Sequence, residues 1–333
     1  MVAYLTKKRW VVTLLLMFAV LCVTMLLCVN IGSEKISIWG AIDNSDPLSH
    51  AIFFSSRLPR LLLALFVGMA LASAGGAYQA MLHNPLADPF ILGISGGAAL
   101  GSVLAVALKL AFGWVSALAF VGSLVAMVVI FFITRKNGRL HPHTLLLTGV
   151  IFNAFSFALI LFINAIVTME QAYQILFLLM GNLEALDYTT IAIVGAFVLV
   201  GFATLTLMSG RINILTLGDN EAHNLGVDVE RVRAITFIAS SLMVGAAVAA
   251  CGLIGFVGLF IPHAVRMIFG ADNRLLIPAS GILGAAFLIL ADTLARTVLM
   301  HSGYSTLLPV GVITALIGGP VFAILLKRRE SKA

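Results

Sequence analysis

Acids, bases and helix-starting residues crowd into one stretch of this chain, Arg211–Arg233 (RINILTLGDNEAHNLGVDVERVR), although only 10% of its 333 residues are charged. Ordinary soluble domains carry about 25%. Asp219, Glu221, Asp228 and Glu230 stand there beside His223, Arg231 and Arg233. Such a set offers protein recognition through ion pairs. A chain that is otherwise nearly all apolar has no room for an energy-converting domain, so this stretch is where a separate motor could grip. Enzyme chemistry is not expected: the chain reads as carrying no GxSxG hydrolase motif, no HExxH and no phosphate-binding GxxxxGKS/T, so it is not expected to hydrolyse ATP by itself. His141–Pro142–His143 places two imidazoles close together, but two histidines without further ligands fall short of a metal site. His263 beside Pro262 reads as part of a bent helix rather than a haem ligand. Cys22, Cys28 and Cys251 all lie in apolar runs without ligand spacing and read as packing residues. No metal or cofactor is expected in the chain.

The elements that must carry these residues are membrane helices. Hydrophobic residues make up 61% of the chain and the mean hydropathy is +1.10. Non-alternating apolar runs of about 20 residues recur throughout, which gives an all-α polytopic bundle rather than a barrel. About ten spans are expected, near 10–31, 58–82, 90–110, 114–134, 144–169, 189–209, 232–251, 255–269, 275–299 and 307–326, in a single domain covering 1–333. Ala172–Met180 is too short to cross and reads as a surface helix. With the N-terminus cytoplasmic, fifteen of the twenty Lys and Arg fall inside, which satisfies the positive-inside rule and puts both termini in the cytoplasm. The high pI therefore reflects topology, not nucleic-acid binding. Five bases are left outside: Lys35, Arg57, Arg60, Lys109 and Arg296. Two glycine- and proline-interrupted segments, 83–97 and 251–266, suit either close helix packing or a transport pathway.

Inside the charged stretch, Asp219 is expected to cap a short helix beginning at Asn220–Glu221, which stops at Gly226. Asp228 offers a second cap before the next span. Two short helices joined by a glycine make a compact cytoplasmic knob; on residue chemistry alone, a solvated connector is equally compatible.

With these residues in view, the chain resembles the permeases of binding-protein-dependent ABC importers for iron–siderophore, haem and vitamin B12. LGDNEAHNLGV (217–227), HNPLADPFILGISGGAALG (83–101), GFVGLFIPHAVR (255–266) and LPVGVITALIGGPVF (308–322) carry the resemblance, which covers 55–327. It implies a multi-pass protein of the bacterial inner membrane that works as a homodimer, with two ATP-binding cassette subunits and an extracytoplasmic substrate-binding protein. It implies ATPase coupling through Gly218, Asp219, Glu221, Ala222, Leu225 and Gly226. It implies a cytoplasmic gate at Asn84, Pro85 and Leu86 and at His143 and Thr144; His141–Pro142–His143 departs from the small hydroxyl residues usual in the family. The pathway is expected along 144–169 and 307–326. Arg57, Arg60 and Arg296 match positions that receive the binding protein's glutamates, the alternatives being interfacial snorkelling and an Asp292–Arg296 pair. Ser55 and Ser56 are expected to cap the helix carrying Arg57 and Arg60, which would share one face. The cargo implied is an iron–siderophore complex, with vitamin B12 or haem as alternatives; an ion-coupled secondary transporter is the rival mechanism.

Overall fold

The computed structural model describes residues 6–32, 34, 36–43, 45–136, 139–184, 186–298 and 308–330. Helix α1 (Lys7–Asn30) starts where the Thr6 hydroxyl accepts the Arg9 amide. Two short helices follow, α2 (Ile38–Ile42) capped by Ser37 and α3 (Pro47–Ile52) capped by Asp46. A π-helical turn, Phe53–Arg57, then carries α3 straight into α4 (Leu58–Met81), so one apolar helix runs from Pro47 to Met81. The expected helix start at Ser55/Ser56 is therefore displaced to Asp46–Pro47. A continuous helix has no free amides at its middle for a serine to cap.

Both interrupted segments are broken helices. After a 3₁₀ turn at Pro89–Leu92 and left-handed Gly93 (φ 87°), α5 (Ile94–Ala107) runs for only 14 residues. Next come α6 (Phe112–Thr134), a two-residue hairpin of β1 (Arg135–Lys136) and β2 (Arg139–Leu140), and α7 (Pro142–Ile166). The expected surface helix is α8 (Met169–Leu179), whose Thr168–Gln171 capping box leaves Gln171 free to donate to the Val106 carbonyl at 2.8 Å. Then follow α9 (Tyr188–Leu215), α10 (Asp219–Asn224) and α11 (Val229–Cys251). The second broken helix, α12 (Val257–Phe269), has 13 residues and begins at Phe256, a non-glycine residue held left-handed at φ 69°. The last two are α13 (Asn273–Thr297) and α14 (Val310–Glu330). Among the described residues seven helices are long and apolar enough to cross a membrane; Ile94–Ala107, Val257–Phe269 and Val310–Leu325 are shorter apolar helices at the places of the other three expected spans. The expected span limits at 299 and 307 lie outside the described residues.

Burial sorts the helices. The apolar stretch of α4 is 83% buried and that of α13 is 78% buried, whereas those of α1 and α7 are 22% and 17%. α4 and α13 form the centre, and small residues let them approach: a Cβ on Gly68 would lie 2.3 Å from the Gly284 carbonyl oxygen. The broken segments meet beside this pair, where Gly258 abuts Pro89. The glycine there serves packing, and the packing joins the two interruptions. Trp10 Nε1 donates to the Arg274 carbonyl at 2.8 Å, and Asn213 at the end of α9 binds Asp272 and Asn273. The starts of α1 and α13 and the end of α9 thus share one end of the bundle with α10, the knob end. The starts of α3 and α4 and the finish of α13 lie at the far end.

Candidate functional site

The knob is built by one buried arginine. Arg233 of α11 is 4% exposed and makes a two-point contact with Asp219, Nη1 to Oδ2 at 2.9 Å and Nη2 to Oδ1 at 2.5 Å. Asp219 is therefore not the cap expected of it. Gly218 occupies that position at φ 118° with no side-chain cap, and Asp219 is the first helical residue. An unpaired buried guanidinium costs far more than an open cap, so the carboxylate goes to the arginine. In the first turn it still complements the positive end of the helix. α10 ends as expected. Gly226 is left-handed at φ 78°, its amide donates to the His223 carbonyl, and the Val227 amide donates to Ala222, with Ala222 and Val227 both buried. That is a Schellman closure with its apolar contact. Asp228 caps α11 by accepting the Arg231 amide at 3.0 Å, also as expected. The knob thus offers Glu221, His223, Leu217 and Leu225 to the outside; both leucines are 61% exposed. Arg211 sits on α9, which continues past the expected limit at 209.

The two segments expected to form a gate lie next to each other at the same end. The Asn84 side-chain oxygen accepts the Leu86 amide at 2.9 Å, folding Asn84–Pro85–Leu86 into a tight turn with Leu86 exposed. His83, left-handed at φ 51°, ties that turn to the end of α9 through the Leu215 carbonyl. His141 stands at the cap position of α7 and Pro142 in its first turn, with His143 and Thr144 exposed. Met81 and Leu82, just ahead of Asn84, line a narrow space with Leu140, Pro142 and Leu145.

At the far end Arg57 engages backbone carbonyls, while Arg60 and Arg296 share one carboxylate. Arg57 Nη1 donates to the Val29 carbonyl at 2.7 Å and Nη2 to that of Glu34, closing the C-terminal end of α1. Gly32 makes room, since a Cβ there would lie 2.7 Å from Arg57 Nη2. Arg60 Nε donates to Asp292 at 2.8 Å, and Arg296 Nε reaches the same carboxylate at 3.0 Å. The intrahelical Asp292–Arg296 pair is present, and Arg60 from α4 joins it. Side-chain exposure is 10% for Arg60, 4% for Asp292 and 19% for Arg296. Arg57 and Arg60 are buried rather than snorkelling.

Residues 19–328 match the model of the FecCD transport family. The chain belongs to that family. It is 38% identical over 314 residues to the hemin transport system permease HmuU of Yersinia pestis, covering 91% of this chain and 92% of HmuU. To the cobalamin import permease BtuC of Halobacterium salinarum it is 40% identical over 278 residues, covering 83% and 73%. A solved structure described as an inward-facing metal-chelate type ABC transporter superposes with a TM-score of 0.86 at 30% identity, covering 95% and 98%.

In this FecCD protein two elements escaped sequence reading. The Arg233–Asp219 pair bridges fourteen residues and Arg60–Asp292 bridges 232, and no local pattern marks either. A third corrects an expectation: contrary to the reading that no hydrolase motif occurs, Gly93–Ile94–Ser95–Gly96–Gly97 has the G-x-S-x-G spacing of hydrolase nucleophiles. Ser95 is buried in the first turn of α5, follows a 3₁₀ turn instead of a strand, and donates to the Phe90 carbonyl at 3.2 Å. Its hydroxyl is used for structure. Among the described residues no three His, Cys, Asp or Glu cluster as a metal site.

Proposed function

We propose that the chain is the membrane-spanning permease subunit of an ATP-driven ABC importer of the bacterial inner membrane, forming the pathway for an iron–siderophore complex handed over by an extracytoplasmic binding protein. The observation that carries this reading is the knob. A six-residue helix, closed by Gly226 and anchored by Arg233, projects exposed Glu221, Leu217 and Leu225 from the end that also holds both gate segments. In this reading the knob end and both termini are cytoplasmic. Gly218, Asp219, Glu221, Ala222, Leu225 and Gly226 engage the ATPase subunit. Asn84–Leu86 and His143–Thr144 close the pathway, and Arg57, Arg60 and Arg296 receive the binding protein. Motion of the knob with the ATPase pair alternates access; it couples only because the two ATPase states hold the knob differently.

The assembly in this reading is a homodimer with two ATPase subunits, and α7 has an apolar face open to the second copy or to lipid. Leu147, Ile151, Phe155 and Phe162 form an exposed apolar stripe on a helix whose apolar stretch is only 17% buried. Support for the cargo class comes from the relatives, whose names point to haem, cobalamin, iron chelatin and metal chelates, all metal complexes. The test is reconstitution in proteoliposomes with the ATPase subunit and binding protein. ATP-dependent uptake of a labelled ferric siderophore above cobalamin and haem is expected. Preference for cobalamin or haem overturns the cargo alone, and uptake that follows an ion gradient without ATP overturns the mechanism.

A further inference from the structure

Arg233 does more than anchor α10. Its Nη1 also donates to the carbonyl of Leu140 at 3.3 Å, at the end of the β1–β2 hairpin. Glu230, one turn earlier on α11 and 3.7 Å from the same guanidinium, accepts the Leu140 amide at 2.6 Å. Both main-chain groups of Leu140 are therefore held by one ion pair on α11. Leu140 directly precedes His141, whose carbonyl accepts the Leu145 amide and so closes the first turn of α7. The Leu140 side chain is 3% exposed and lines the narrow space shared by Met81, Leu82, Pro142 and Leu145. One guanidinium thus touches the knob on one side and the backbone entering the α7 gate segment on the other, beside the end of α4 that leads to Asn84.

We propose that Arg233 is the positioning residue that transmits movement of α10 to the α7 gate segment, with Glu230 holding Leu140 against it. The inference rests on the coupling and gate roles given above. Its physical content is that α10 and the start of α7 share no other charged link among the described residues. Charge-assisted two-point contacts hold direction as well as distance. A lysine offers no planar fork and cannot replace one.

The test uses the assembled transporter in proteoliposomes, with spin labels on exposed His143 and His223. In the wild type ATP binding shifts both labels. In Arg233→Gln the complex still assembles and hydrolyses ATP, the label at 223 still moves, and the label at 143 does not. Uptake per ATP hydrolysed falls about tenfold, the scale of one lost hydrogen bond to a charged group. Arg233→Lys falls between. Should Arg233→Gln fail to reach the membrane, Glu230→Ala carries the test, because its side chain is 31% exposed and tolerates truncation. It releases the Leu140 amide and is expected to lower uptake per ATP about threefold, below the effect of a full charged hydrogen bond. Unchanged uptake per ATP and a moving 143 label, in whichever variant folds, overturn the relay. If the wild type itself neither binds an ATPase subunit nor takes up cargo with ATP, the proposed function fails, a distinct outcome.

Discussion

At the far end one carboxylate, Asp292, stands between Arg60 and Arg296; at the knob end one guanidinium, Arg233, stands between Asp219 and Glu230. The far-end cluster joins α4 to α13, the two most buried spans, and its three side chains are 4–19% exposed. In the knob-end cluster only the arginine is buried, at 5%, while Asp219 is 53% and Glu230 is 31% exposed. The difference is mechanical. Separating the far-end pairs would strand a charge in an apolar bundle, so that cluster holds one geometry and presents surplus positive charge. At the knob end Asp219 and Glu230 lie partly in water, so the cluster can shift with the knob without stranding a charge, while the two-point contact with Arg233 carries the movement inward.

The largest effect that would break this contrast is expected at Asp292. Asp292→Ala leaves the buried Arg60 guanidinium unpaired and half-buried Arg296 with only its Thr293 contact, and should cost about 3–5 kcal/mol, read as a lower thermal unfolding midpoint in detergent. Adding Arg60→Met to it should recover part of the loss, because an apolar side chain suits the site better than an orphan charge. An unshifted midpoint in Asp292→Ala would mean that the far-end cluster is not the rigid one.

Second in size is Gly226→Val. No atom lies within 4 Å of the site a Cβ would take, so the effect comes from the left-handed backbone alone, about 1–2 kcal/mol. Uptake should be lost while the protein stays folded. Glu221→Arg, on the exposed face of the knob, should abolish uptake with no measurable change in midpoint. Normal uptake from both would remove the knob from the mechanism. Third is Asp219→Ala, expected to cost about 1 kcal/mol or less, because Arg233 keeps Glu230 and the Leu140 carbonyl. If it costs as much as Asp292→Ala, the two ends are alike and the contrast fails.

How much of this could be read in the residues divides along the same line. The spans, both broken helices, the Gly226 stop and the Asp228 cap follow from apolar run length, left-handed turn residues and caps two or three residues away. Those are local effects. Arg60–Asp292 and Arg233–Asp219 depend on which helices pack together, and that is decided by buried area over the whole bundle. Local reading therefore assigned Asp219 to a cap, where a nearby backbone amide competed with a distant arginine. The start of α4 was misplaced for a related reason: Ser55 and Ser56 look like caps, but the π turn keeps the helix running through them.

The smallest effect tests whether the knob end answers to protons through a half-buried carboxylate. Asp272 caps α13 there, accepting from the Arg274 side chain, from Asn213 of α9 at 2.7 Å and from the Arg274 amide. Those donors, the Arg274 side chain first, hold its carboxyl below the ordinary value of 3.8. A lowered value means that the folded state binds the proton less readily than the unfolded chain. The stabilisation is therefore fully present above 3.8 and lost as pH falls through the lower folded value. Arg274 is 57% and Asp272 is 26% exposed, so water and salt screen the pair. The contribution should be about a few tenths of a kcal/mol. Thermal midpoints of wild type and Asp272→Asn, followed from neutral pH into acid, should differ slightly at first and converge below 3.8. A gap that persists unchanged in acid would mean that the amide fails in geometry rather than charge, and that the ties between α9 and α13 at this end are as insensitive to protons as a buried pair.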